Sequence, residues 1–319
     1  MSTLVMKELL VDRAVLKRRS TRSSVVIVPY LPGEVVPGGA CCRLAPFHQA
    51  ADQGRARRYP SDTTDAQWAM IDPLLPNPAW LAGKGGRRET HCRRRIVDAI
   101  FYVVDNGIKW RALPSDFPPW STVYNYFAAW EAVGVTQDVL DGLRDRVRLA
   151  EGRTAKPTAA IIDSQSVKAA ETVARSSRGY DAGKKINGRK RHIAVDTLGL
   201  LLCVLVTAAS VQDRDGARPL LSLLAASCHR VRLIWADGGY SGKLLDWARN
   251  TVKIAVTIVK RSDDTIGFQV LPRRWVVERT LAWITGHRRC VRDYERLPKH
   301  HEAMVRWSMI RITTRRLTT

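Results

Sequence analysis

A chain of 319 residues with 52 Lys and Arg against 30 Asp and Glu carries a formal net charge of +22, which disfavours cationic partners and attracts a polyanion through counterion release. A hydrophobic content of 45% supports a folded core, but no run reaches the ~18 apolar residues of a membrane-spanning helix. The N-terminus mixes charges without the apolar core of a secretory signal, and Cys41, Cys42, Cys92, Cys203, Cys228 and Cys290 form no CxxC pair, so they are expected as reduced thiols of a cytoplasmic protein.

In chain order, residues 1–58 lose periodicity after Leu16 and hold Pro29, Pro32, Gly33, Pro37, Gly38 and Gly39, the composition of a disordered extension. From Tyr59 the pattern turns helical. Thr63 or Thr64 can cap a helix carrying Trp68, Ile71 and Leu75, ending near Pro76. Thr90 can open a second with Ile96, Ile100, Val103 and Val104, closed by Gly107. Ser121 can cap a third with Val123, Phe127 and Trp130, and a fourth runs from Gln137 to about Leu149. With Arg93, Arg94 and Arg95 among them, residues 59–152 read as a small all-α DNA-binding domain of helix-turn-helix type. A plain helical bundle with solvated arginines fits the same pattern.

Residues 153–319 read as α/β. Strands are predicted at 158–163, 190–196 and 200–208, the last two joined as a hairpin at Leu198 and Gly199. A helix follows over 213–226, then a strand at 231–236, a helix near 242–249, a strand at 254–260 and a long helix holding Glu278. This is the order of a ribonuclease-H-like mixed five-stranded sheet, in which the first and fourth strands are neighbours. Further basic residues stand at Lys184, Lys185, Arg189, Lys190, Arg191, Arg274 and Arg288. They do not fall on one amphipathic helix, as a membrane-surface anchor would need, so nucleic acid is the expected partner.

Three acidic residues fit this frame. Asp163 ends the apolar run Ala159 to Ile162, Asp237 ends Val231 to Ala236 before Gly238 and Gly239, and Glu278 lies in a helix with Trp275, Leu281 and Trp283. Two strand-end aspartates and a helical glutamate in basic surroundings are the donor set of a two-metal phosphodiester-cleaving site. Each also has a structural reading. The aspartates can cap turns, and Glu278 can pair with Arg274 or Arg279 at the surface. His192 and Asp196 read as a core histidine and a turn aspartate, Asp213 and Asp215 as a helix start. Tyr240 can stack on a base or fill the core.

The runs Ile162 to Lys168, Gly188 to Asp196, Ala236 to Tyr240 and Trp275 to Thr280, with Tyr59 to Asp62 and Trp110 to Pro114 upstream, resemble the DDE transposases of bacterial insertion sequences, most of all the fifth insertion-sequence family, itself related to the fourth. The resemblance covers roughly residues 59–312. It implies that Asp163, Asp237 and Glu278 are the catalytic carboxylates and hold two divalent cations, Mg²⁺ or Mn²⁺, with Asp163 bridging both. Arg274 matches the arginine of the family signature. Leu271 stands where its tyrosine is expected and Thr285 where its lysine is, leaving Arg288 as a substitute cation; residues 1–58 match nothing in the family.

The implied partners are double-stranded DNA, both the element's terminal inverted repeats and target DNA, and further copies of the chain as a homodimer or larger complex on DNA. The implied location is the bacterial cytoplasm, at the nucleoid. Two alternatives stand beside an active transposase: a catalytically inactive transposase-derived DNA-binding protein, and a ribonuclease-H-like nuclease or resolvase.

Overall fold

Helix formation begins where the side chains can satisfy the first free N–H groups. A computed structural model of the chain describes residues 57–78, 89–259 and 272–319, all within one compact unit; the extension expected over residues 1–58 falls almost wholly outside them. Helix α1 (Asp65–Ile71) starts on a capping box in which the Thr64 hydroxyl accepts from the Gln67 N–H and the Gln67 side chain accepts from the Thr64 N–H. Helix α2 (Arg93–Asn106) opens at Cys92 rather than Thr90 and ends at Gly107, whose φ of 69° satisfies the left-handed cap. Helix α3 (Trp120–Ala132) starts after Pro119, so Ser121 lies inside its first turn. Helix α4 (Val135–Ala150) follows Gly134.

The α/β half begins with β1 (Ala159–Lys168), β2 (Gly179–Asp181), β3 (Ile186–Val195) and β4 (Leu201–Ala208). Strand β1 runs five residues past the expected end at Asp163, because Ser164 to Lys168 go on pairing antiparallel with His192 to Gly188 of β3. The hairpin at Leu198 and Gly199 forms as expected, with Gly199 at φ 82°. Then come α5 (Asp213–Ser227), β5 (Leu233–Ala236), α6 (Lys243–Trp247), β6 (Ala255–Ile258), α7 (Pro272–Thr285), α8 (Arg288–Val291) and α9 (Pro298–Thr318).

The sheet order is β2-β3-β1-β5-β6, with β4 also on β3. Strand β2 pairs with residues 186–188 of β3 and β4 with 189–195, so the two share one edge of β3 end to end. Strands β1, β5 and β6 are parallel, and the rest of the pairing is antiparallel. This mixed sheet with helices on its faces, preceded by a helical region, is the ribonuclease-H-like arrangement, with β2 added to the five expected strands.

Alternation along β1 splits the core. Ala160, Ile162, Ala194, Leu202 and Ile234 face α5 and α6, while Ile161, Ile193, Val195 and Leu201 face the other helices. On that second face α9 lies between the sheet and α1 to α4, with Trp307 1% exposed against Phe101 and Trp130. The change from helices to strands near residue 152 is therefore not a break in packing: α1 to α4 share their hydrophobic core with α9 and the sheet.

Charged side chains are buried here too. Arg189, fully buried, bonds Asp293 at 2.9 Å and the carbonyls of Glu295 and Arg296. Such a pair is retained only because every donor finds an acceptor. Cys203, Cys228 and Cys290 are free and buried, whereas Cys92 is disulfide-bonded, which corrects the expectation of six reduced thiols. Among the described residues no helix is long and apolar enough to cross a membrane.

Candidate active site

The parallel pairing of β1 with β5 builds the site. Ile161 stands opposite Trp235; two residues on, with the side-chain period of two, Asp163 and Asp237 leave the same sheet face on adjacent strands. Asp163 accepts from the Ser164 N–H at 2.7 Å. Asp237 ends β5 and caps the turn at Gly238 to Tyr240, accepting from the Gly239 N–H at 2.9 Å. This is the Asx-turn role allowed by the sequence, and it leaves the other carboxylate oxygen free of that bond.

Helix α7 packs over β1, β3 and β5. Its buried side is Val277, Thr280, Leu281 and Ile284, and Trp275 and Glu278 are exposed. Trp275 thus lies away from the buried face of the helix. The Arg274 guanidinium reaches Glu278 Oε1 at 3.3 Å and Asp237 Oδ2 at 3.9 Å. It ties the end of β5 to α7 and sets Glu278 near Asp237 at one end of the parallel strands.

Electrostatics single out Asp163. Burial pushes its carboxyl from 3.8 up to about 6; the Ser164 N–H opposes the rise, the neighbouring Asp237 charge adds to it, and Lys184 and Arg274 counter it. Hard carboxylate oxygens fit Mg²⁺ or Mn²⁺ in kind. In position they do not yet form a cage: among the described residues no three His, Cys, Asp or Glu side chains are arranged to hold an ion, and Arg274 stands between Asp237 and Glu278.

On the opposite face of β1 lies a network that sequence reasoning did not bring together. Asp213, read as a helix start, accepts from Ser164 Oγ at 2.7 Å and Lys190 Nζ at 2.9 Å. Lys190 also bonds the Val211 carbonyl, and Ser166 bonds Asp181. Burial opposes ionisation of Asp213, but Lys190 and Ser164 outweigh it and hold the carboxyl below its usual range. The pairing Ser164 with His192 and Ser166 with Lys190 puts these residues on one face; only the register could have revealed it. Tyr240 is 1% exposed, which leaves it in the core and not free to stack on a base. His192 is fully buried beside Thr207, and Asp196 caps the hairpin and pairs with Arg148.

Several expected phosphate-binding cations are instead structural. Arg93 is 4% exposed on Glu89 and the Pro76 carbonyl. Arg94 bonds Asp65 and the Thr63 carbonyl, and Arg95 the Asp116 carbonyl. Arg189 and Arg191 are fully buried, the latter on Gln165 and the Cys290 carbonyl, and Lys190 is 6% exposed. These ladder positions face packed elements, so their charges serve carboxylates and carbonyls. Lys184, Lys185 and Arg288 are exposed. Arg288 opens α8 against Gly107, beyond the end of α7.

Comparison with known proteins agrees with this geometry. Residues 154–312 match the transposase DDE domain, and residues 63–140 match the putative transposase of IS4/5 family. A putative transposase for insertion sequence element IS402 of Burkholderia cepacia is 32% identical over 126 residues, 37% of this chain and 59% of that protein. An uncharacterized 16.2 kDa protein of the same insertion element is 30% identical over 107 residues, 33% of this chain and 71% of that protein. The chain therefore spans less than two thirds of the first relative's length. The sheet, the helical region before it and these matches together make the chain a member of the DDE transposase family of insertion sequences.

Proposed function

We propose that this protein binds the ends of its own element as duplex DNA, cuts a phosphodiester bond there and joins the freed end to target DNA, with Asp163, Asp237 and Glu278 as the catalytic carboxylates. The observation that carries the reading is the parallel register of β1 and β5, which brings two aspartates 74 positions apart in sequence onto adjacent strands beneath Glu278 and Arg274.

In this reading the three carboxylates would hold two divalent cations, Mg²⁺ or Mn²⁺, which would supply Lewis acidity at the attacking and leaving oxygens of the phosphate. Asp163, whose carboxyl feels the neighbouring Asp237 charge, would be a ligand to these cations. Arg274 holds Glu278 and Asp237 in place. Lys184, with Nζ 3.5 Å from the Ser164 carbonyl, supplies positive charge beside Asp163 for the non-bridging phosphate oxygens. In hydrolysis a water oxygen bonds to phosphorus as the bond to the 3′-oxygen breaks, which leaves a 3′-hydroxyl and a 5′-phosphate. That hydroxyl then attacks a phosphodiester of target DNA, forming one ester as another breaks, so no external energy source is needed.

End recognition falls to the helical region, residues 59–152, which carries the exposed Lys109 and Arg111, with Arg111 stacked at 5.3 Å over Trp120. Because that region shares its core with α9 and the sheet, binding is tested on the whole chain. Labelled duplex bearing the DNA that flanks the gene, incubated with Mg²⁺ and a target plasmid, separates the readings. Joined product supports a transposase, cleavage without joining a nuclease or resolvase, and binding alone a DNA-binding protein without catalysis.

A further inference from the structure

Beside the carboxylates, a cavity of about 360 Å³ opens between the first turns of α5 and α6, lined by Arg214, Asp215, Arg218, Gly242, Lys243 and Leu244. Its size is at the lower end of the ~300–1,000 Å³ typical of ligand sites. Three of its six lining residues are cations and one is a carboxylate. Arg214 and Arg218, four apart on α5, present their guanidinium groups on one side of that helix, and Arg218 is ordered by stacking at 5.7 Å over Trp247. Among the described residues Arg214, Arg218 and Lys243 form no ion pair, in contrast with Lys190, Arg189 and Arg93, whose charges are matched by Asp213, Asp293 and Glu89.

The cavity and the proposed active site are made by the same two segments. Asp213, the first residue of α5, turns inward to Ser164 and Lys190, while its neighbour Arg214 lines the cavity. The loop after β5 begins with Asp237 in the site and reaches the cavity at Gly242, where φ is 92° and the backbone turns as only glycine does readily. A phosphodiester strand crossing Asp237 has this concave cationic surface next along its path.

We infer that this cavity is a backbone-phosphate subsite, built by Arg214, Arg218 and Lys243, for the DNA strand adjoining the bond that is cut. The inference rests on the active-site reading for its place on the strand, but its binding test does not depend on catalysis. Three cations against the single carboxylate of Asp215 leave the cavity net positive, and a bound phosphate offsets that charge while releasing condensed counterions.

The test uses the full chain and labelled duplex carrying the gene's flanking DNA, titrated in Ca²⁺ across a range of salt. Arg214→Ala/Lys243→Ala is compared with the charge-matched Arg230→Ala/Arg249→Ala, two exposed arginines at the opposite end of the parallel strands. The cavity pair should weaken binding about tenfold at moderate salt and lower the slope of log affinity against log salt by about two, while the matched pair leaves the slope unchanged. Cleavage by the cavity variant should show a raised KM with kcat nearly intact. Equal slope changes in both pairs, meaning long-range charge only, or no change in the cavity pair, overturn the subsite. Asp163→Asn run alongside keeps the two ideas apart: normal cleavage by that variant sinks the catalytic reading, whereas the slopes alone decide the cavity.

Discussion

Replacing Asp163 by Asn should stabilise the metal-free protein while abolishing its chemistry. The carboxyl rises from 3.8 to about 6 on folding, and at about 1.4 kcal/mol per pH unit its ionisation costs the fold about 3 kcal/mol above pH 6. Because the folded value lies above the unfolded one, this stabilising contribution is complete below pH 3.8 and is lost as the pH rises through about 6. The side chain is partly exposed, so solvent screening trims the figure to about 1–3 kcal/mol. Asparagine keeps the shape and can still accept from the Ser164 N–H, so the variant should melt about 2–6 °C higher near pH 8. The gain should shrink as the pH falls towards 4, and added Mg²⁺ should raise the melting temperature of the parent more than that of the variant. Thermal unfolding at several pH values, with and without Mg²⁺, reads all of this. A variant that melts lower near pH 8, or whose gain is the same at every pH, refutes the argument that burial and Asp237 strain this carboxylate.

Asp293→Ala strands Arg189 without its carboxylate in the core and should cost about 3–5 kcal/mol, measured by denaturant unfolding. Gly216→Ala should also destabilise, by about 1–3 kcal/mol, because a Cβ there would meet the buried His192 ring at 2.2 Å; an unchanged midpoint would show that the ring moves aside. Tyr240→Phe keeps the packed ring and should shift stability by no more than about 1 kcal/mol with DNA affinity unchanged, whereas Tyr240→Ala should cost about 3–5 kcal/mol. A large loss of DNA affinity in the phenylalanine variant would return the tyrosine to a base-contacting role.

Residues whose pattern repeats were legible in the sequence. The 3.6-residue spacing of Ile96, Ile100, Val103 and Val104 with the Gly107 cap places α2 to within a few residues, and the apolar runs before Asp163 and Asp237 locate the strands whose adjacency makes the site. What the sequence hid were charges whose partners are distant in the chain. Arg189, Lys190 and Arg191 read as a basic cluster, but a strand sends alternate residues to opposite faces, and both faces of β3 are covered. Their partners, Asp293, Asp213 and Gln165, come from other elements. Asp213 does start α5, as its sequence context suggested, but its bond to Ser164 emerged only from the β1–β3 register. The end of β1 was placed too early because the apolar run stops at Ile162, although antiparallel pairing accepts the polar residues Ser164 to Lys168. The three carboxylates were singled out by their sequence contexts, whereas Arg274 lying between Asp237 and Glu278 needed the geometry of α7.

Cleavage of a labelled duplex carrying the element's end, in Mg²⁺, by the full chain and by Asp163→Asn, Asp237→Asn and Glu278→Gln tests the central claim most directly. The parent chain should produce a 3′-hydroxyl end, and each variant should lose at least about a thousandfold in rate, as removal of a transition-state charge stabiliser does, with binding in Ca²⁺ retained. Near-normal cleavage by any one of the three would take that residue out of the site and contradict the account.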